Sequence, residues 1–280
     1  MSEIKKILGR IKDKNFFLRY GWYLFRQPYY CYLEKNNQKE ANLRKEGKVE
    51  SKFQSLLKFK NKHKGKRCFI VATGPSLLIS DLELLENEIT FGMNSIPKLF
   101  SQTKWRPTYF GVQDINVYLK MESVLLDAFH GNGNVFISDT ISNRFNVPKE
   151  FNVFPLDTAY NFNQLEIEKY FAMFSDDAYS VVYDGYSITY SLIQIAVYMG
   201  FKEIYLLGVD CSYKRGAKNH IVESGNDDKN EEKNYEKMTT AYKVAKQYAD
   251  DHNIKIVNCT RGGMLEVFTR KSLEEVISNE

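Results

Sequence analysis

Apolar residues fall in short runs that break abruptly into small or polar residues, with room between runs for a helix. The clearest run is Cys68-Phe69-Ile70-Val71-Ala72, followed by Thr73-Gly74-Pro75-Ser76 and then by Leu77, Leu78, Leu82, Leu84 and Leu85. A buried strand, a tight loop and a helix in that order are how α/β folds place ligand loops at the carboxyl ends of strands. Residues 89–94, 107–112 and 134–137 read as further strands, and Asn94, Gln113 and Asp114 fall near strand exits on one rim of a parallel sheet. From 141 to 179 the pattern is irregular and aromatic, which fits a lid, a small insertion or loops covering the sheet. Asp184-Gly185-Tyr186-Ser187 then precedes an apolar helical face from Ile188 to Tyr198. A buried strand follows over 203–210 and ends on Asp210, then a helix over 235–249 and a strand over 255–258. The fold this predicts is α/β, a Rossmann-like, mostly parallel sheet.

Two loops carry candidate chemistry. In the first, Gly74 permits φ values a Cβ disfavours, Pro75 fixes φ, and Ser76 can cap the following segment or donate to a phosphate, so the turn can offer backbone N–H groups to an anion or be an ordinary structural turn. It has neither the Gly-Lys-Ser/Thr of a Walker loop nor the later glycines of a dinucleotide fingerprint. In the second, Thr260, Arg261 and Gly262 supply a hydroxyl, a cation and an exposed amide, suited to a phosphate or to a turn. Asp210 can accept from a ribose, ligate a cation or cap a loop. His220, in the loop after Asp210, is a general base or a surface residue.

Charge divides the chain sharply. Residues 1–67 hold 19 Lys+Arg against 6 Asp+Glu, a net of +13, whereas residues 68–280 hold 20 against 29, a net of −9. The basic arm interleaves Phe16, Phe17, Tyr20, Trp22, Phe25, Tyr29 and Tyr32 with Lys12, Lys14, Arg19 and Arg26, and a second basic helix is expected around Phe53 to Phe59. Such a mixture suits an anionic membrane surface, or else the rings cover the body or form an oligomer contact while lysines face water. The acidic remainder argues against a nucleic-acid partner. The 4 cysteines have no CxxC spacing, no apolar run reaches spanning length and the first residues lack a secretory pattern. The expected location is therefore cytoplasmic, peripheral at the inner face of a bacterial cytoplasmic membrane. Two parts are expected: a helical arm over 1–65, and an α/β domain over 66–280 with lid segments near 141–183 and 211–234.

Over residues 66–275 the chain resembles the MptE-like proteins, relatives of archaeal 6-hydroxymethylpterin diphosphokinase that include bacterial surface-polysaccharide proteins. The resemblance is carried by residues 72–77, the loop at Asn94, Gly185 to Gly208 with Asp210, Asn219-His220 and residues 258–268. It is more distantly similar to bacterial sialyltransferases of the Campylobacter lipooligosaccharide type. These resemblances imply a GT-A-like variant of the fold. They place Thr73, Gly74 and Ser76 beside the donor and Asn94 at its phosphate or sugar, and Pro75, Asp114, Gly185, Ser187, Thr260, Arg261 and Gly262 are the further candidates for nucleotide binding. His220 is the implied base, with Asp210, Tyr186 and Tyr213 also catalytic and Tyr183 a further candidate. Thr73 stands where the sialyltransferases have Asn, Ile188 stands near the place of their Ser, and Asp114 fits the MptE-like pattern better.

The expected function is glycosyl transfer from a CMP-type sugar nucleotide, such as CMP-sialic acid, to a hydroxyl of a cell-surface glycan or lipid-linked acceptor, with no obligatory cofactor or resident metal. The alternatives are a Mg²⁺-dependent 6-hydroxymethylpterin diphosphokinase-like enzyme and a non-catalytic nucleotide-sugar-binding assembly protein.

Overall fold

The computed structural model describes residues 16–49, 51–212, 221 and 231–278. The chain enters as one long helix, α1 (Phe16–Lys45), followed by a short 3-10 turn over Gln54–Phe59. Strand β1 (Arg67–Val71) leads to α2 (Ile79–Leu84), then β2 (Thr90–Met93) and β3 (Tyr109–Val112). Next come α3 (Ile115–Ala128) and β4 (Val135–Ser138), then β5 (Asn152–Phe154) and β6 (Leu156–Asp157). After β7 (Val182–Tyr183) come α4 (Ile188–Tyr198), β8 (Glu203–Leu207), α5 (Glu231–Asp251), β9 (Lys255–Asn258), β10 (Thr269–Arg270) and α6 (Leu273–Ser278).

Eight strands form one sheet in the order β10-β9-β8-β1-β2-β3-β4-β5, and β6 pairs with β7 separately. Every pairing among the described residues is parallel, with Val71 beside both Gly92 and Leu207 in the centre. Burial on both faces explains why the central strands read as unbroken apolar runs rather than alternating ones. One face is covered by α4, α5 and the turn carrying Leu56 and Phe59. The opposite face is covered by α2 and α6 beside Leu77 and Trp105, and further along by α3. The irregular stretch contains two strands that its mixed composition conceals: β5 extends the main sheet, and β6 pairs with β7, which begins three residues past the stretch.

The strand expected to run to Asp210 ends at Leu207, because Gly208 takes φ +64° and turns the chain. A Cβ at Gly208 would lie 2.7 Å from the Ala72 carbonyl oxygen, so the two central loops cross too closely for any other residue.

Helix α1 is joined to the body along one side. Arg19 pairs with Glu168, Arg26 with Glu166 at 2.9 Å, Asn37 donates to Asp157 Oδ1 at 2.9 Å, and Arg44 donates to the Ser180 carbonyl at 2.7 Å. These anchors hold the helix through Pro28, which removes one main-chain donor without ending it. Phe53, Leu56 and Phe59 belong to the main core, Phe59 lying 4.9 Å from the Phe136 ring. No helix of the described residues is long and apolar enough to cross a membrane.

Candidate functional site

The sheet order reverses at its centre. From β1 the chain leaves toward α2 on one face, whereas from β8 it leaves toward α5 on the other, so the two exit loops diverge and open a crevice at the carboxyl ends. Ligands of open α/β sheets bind in such crevices. The cleft here is lined by Thr73 and Gly74 after β1, Asn94 after β2, Ser187 and Thr189 at the start of α4, and Asp210 and Ser212 after β8.

Its two central loops are stitched to one another. Gly74 N–H donates to the Gly208 carbonyl at 2.8 Å, and Ser76 Oγ donates to Asp210 Oδ2 at 2.8 Å. A Cβ on Gly74 would stand 1.9 Å from Asp210 Oδ2 and 2.3 Å from the Gly208 carbonyl oxygen. Of the two readings open for the first loop, an anion cradle or a structural turn, two of its groups act structurally: its glycine N–H is engaged by β8's exit, and its serine hydroxyl orients a carboxylate. The cap of α2 falls on Leu78, whose N–H is accepted by Asp81 Oδ2 at 2.9 Å. Pro75 is exposed beside this loop.

Burial raises the carboxyl pKa of Asp210, and the Ser76 hydrogen bonds pull it back. The side chain is 7% exposed, and it is the one carboxylate among the described residues lining the cleft. Asn94 sits at φ +50°, a conformation costly for a residue with a Cβ and tolerated best by asparagine among such residues, which turns its side chain from strand end to cleft. Ser187 is the N-cap of α4, its Oγ accepting from Thr189 N–H at 3.2 Å, so the positive end of an 11-residue helix opens on the cleft.

Beside this helix start lies a polar chain. Ser191 Oγ donates to Gln113 Oε1 at 2.6 Å, and Gln113 Nε2 donates to Asp184 Oδ1 at 3.1 Å, which also accepts from Tyr186 N–H at 3.1 Å. Burial pushes the Asp184 carboxyl up to about 6. Asp184 was not among the residues singled out in the sequence; an acid directly before a Gly and a helix start was the available signal.

The other predicted residues lie elsewhere or act within the scaffold. Asp114 is the N-cap of α3, accepting from Val117 N–H at 2.9 Å. A Cβ at Gly185 would meet the Tyr190 ring, so that glycine serves close packing. Tyr186 donates to the Phe171 carbonyl at 3.1 Å, and burial pushes its hydroxyl up to about 12. Tyr183 is paired in the small sheet. Thr260 Oγ1 accepts from Val209 N–H at 3.0 Å and so braces the cleft from behind. Arg261 turns away to both oxygens of Asp81 at 2.5 Å and to Glu274 at 2.8 Å, while Gly262 is exposed. His220 and Tyr213 lie outside the described residues.

A parallel sheet with a switch-point crevice, a helix N-terminus and polar side chains at three strand exits is the arrangement in which open α/β sheets take ligands, anions among them. The family follows from the sequence itself: residues 37–216 match the model of the 6-hydroxymethylpterin diphosphokinase MptE-like family, and the chain belongs to it. No match to a curated protein was found. Among solved structures, similarity is seen to the MAf glycosyltransferase from Magnetospirillum magneticum AMB-1, with TM-score 0.47 and 14% identity over 79% of this chain. That alignment covers 38% of the glycosyltransferase, so the chain spans well under half of that protein's length. Similarity is also seen to the sialyltransferase CstII from Campylobacter jejuni in complex with a substrate analogue, cytidine-5'-monophosphate, with TM-score 0.46 and 14% identity over 75% of this chain and 86% of that one.

Proposed function

We propose that the protein is a nucleotide-dependent transferase whose nucleotide lies across the β1/β8 crevice. The observation that carries this reading is the convergence of Thr73, Asn94 and Asp210 from three strand exits, with Ser187 and Thr189 from the start of α4, on one cleft. The phosphates sit at the N-terminus of α4, where the helix macrodipole favours an anion, with the Asn94 amide as a donor. Where no cation lies between them, Asp210, an acceptor held by Ser76, faces hydroxyls of the nucleoside sugar rather than bare phosphate, which it would repel.

Of the two transferable groups considered, the family membership favours diphosphoryl transfer from ATP. The residues fit a Mg²⁺ ion: Asp210 supplies one buried carboxylate in the cleft, and Mg²⁺ commonly needs only one or two besides phosphate oxygens and water. Bound there, the ion would neutralise charge on the transferring phosphates. Asp114 and Asp184 are engaged by Val117 N–H and by Gln113 with Tyr186, so neither is a first choice as ligand. Glycosyl transfer is the second reading, favoured by the exposed aromatic face of α1, which suits a protein working beside a membrane-held acceptor.

Calorimetric titration of ATP, CMP, CDP, UDP and GDP, each with and without Mg²⁺, tests the proposal. Selective Mg²⁺-dependent ATP binding supports diphosphoryl transfer, metal-independent cytidine-nucleotide binding supports glycosyl transfer, and no binding of any of them refutes a nucleotide site. Asn94→Gly keeps the φ of +50° accessible while removing the amide. It should weaken the bound nucleotide by about 10-fold or more at unchanged stability, the loss expected for a hydrogen bond to a charged group.

A further inference from the structure

Helix α1 sorts its side chains by chemistry. Between Phe16 and Leu33 its only charged residues are Arg19 and Arg26, and both turn toward the body, where they pair with Glu168 and Glu166. The outward side of the same stretch carries Phe17, Leu24, Phe25, Tyr29 and Tyr32 at 82%, 52%, 77%, 59% and 62% exposure, with Gly21 and Pro28 between them. From Phe17 to Tyr32 that is an uncharged face about 22 Å long at the usual helical rise, large for an apolar patch left in water. The mixture of rings and cations legible in the sequence is thus separated in space.

We propose that this face docks on an anionic lipid bilayer, lying in the interface with its rings among the headgroups. Tyrosine and phenylalanine rings on one side of a helix, without a charge among them, suit that depth, where a ring is apolar and a phenol keeps a wet partner. Charge complementarity selects this occupant over a second copy of the chain. Residues 1–15 contain Lys5, Lys6, Arg10, Lys12 and Lys14 against Glu3 and Asp13. At the end of the helix and beyond it, Lys45, Lys48, Lys52, Lys58, Lys60 and Lys62 are all exposed. Anionic headgroups attract such a segment within a Debye length of the surface, whereas two copies seated on this face would bring their cations together. The proposal is independent of the nucleotide site.

The full-length protein is mixed with phosphatidylcholine vesicles with and without phosphatidylglycerol and followed by co-sedimentation. Trp22 emission supplies a second signal, since the other tryptophan, Trp105, is 3% exposed and stays shielded. Binding that requires phosphatidylglycerol, falls as salt is raised and shifts Trp22 to the blue is expected. The triple variant Phe25→Ser/Tyr29→Ser/Tyr32→Ser changes exposed positions only and should bind vesicles at least about 10-fold more weakly, with thermal unfolding and nucleotide titration unaltered. Equal vesicle binding by the variant, or no binding by the parent, overturns the proposal. So does a parent that sediments as a dimer where the variant is a monomer, which would assign the face to a second copy.

Discussion

Gly74 is the most constrained position of the cleft, and replacing it by alanine probes the crevice directly. The added Cβ would lie 1.9 Å from Asp210 Oδ2 and 2.3 Å from the Gly208 carbonyl oxygen, where ordinary carbon–oxygen contacts exceed 3 Å. Asp210 can rotate away at the loss of its bond from Ser76, but the Gly208 oxygen is backbone and moves only with the exit of β8. Relief must therefore widen the β1/β8 crossing and lengthen the Gly74 N–H bond to Gly208, now 2.8 Å. Overpacking of this kind costs about 1–3 kcal/mol, which at about 2–4 °C per kcal/mol predicts a Tm lowered by several degrees. Nucleotide affinity should fall with it, because Asp210 is displaced. Adding Asp210→Ala removes the closer clash and leaves the backbone one, so the double variant should recover only part of the lost Tm. Scanning calorimetry and nucleotide titration of parent, both single variants and the double variant make the test. An unchanged Tm and affinity in Gly74→Ala, or full recovery in the double variant, would refute the account of why this loop carries glycine.

Asp184 makes a pH prediction. Its carboxyl rises from 3.8 to about 6 on folding, so the folded state holds the proton more tightly. The stability it contributes is complete below about pH 4 and is lost as pH rises through about 6. Relative to Asp184→Asn, the parent should become progressively less stable between those values in urea unfolding; a pH-independent difference would sink the idea. Arg261→Ala removes the pairing partner of Asp81, which is 2% exposed, and should destabilise by about 2 kcal/mol while leaving nucleotide affinity intact. A large loss of affinity at unchanged stability would instead return Arg261 to the ligand.

The strands and helices of the sheet were legible in the sequence because parallel strands buried on both faces are written as short apolar runs. Residues 68–71, 203–207 and 255–258 needed no tertiary information. β5, β6 and β10 were not legible, since two- and three-residue strands carry no period and exist only because a longer neighbour offers its edge. Within the cleft, Thr73, Asn94 and Asp210 stood out in the sequence because a polar residue at the carboxyl end of a buried run has a predictable position, and Ser187 because it directly precedes an apolar helical face. Their partners did not.

The arginines show why. Arg19, Arg26 and Arg261 all sit beside rings or glycines, where a free cation would meet a headgroup or a phosphate. Each instead pairs with a carboxylate more than 100 residues away, and nothing local announces Glu168, Glu166 or Asp81 as that partner. The same distance rule acts on Gly74, whose local reading was conformational freedom and whose actual constraint is Asp210, 136 residues later. A residue type reports what a side chain can do, and the fold decides whether that capacity faces a ligand or is already satisfied. For this protein the consequence is electrostatic. No described Lys or Arg lines the cleft, so its described walls offer an anion hydrogen-bond donors and a helix N-terminus. Beside Asp210, a phosphate must lie toward α4 or have its repulsion screened by a cation. In the second case nucleotide affinity should rise with Mg²⁺ in the parent and lose that dependence in Asp210→Asn; a dependence that survives the substitution would remove Asp210 from the ion's ligands.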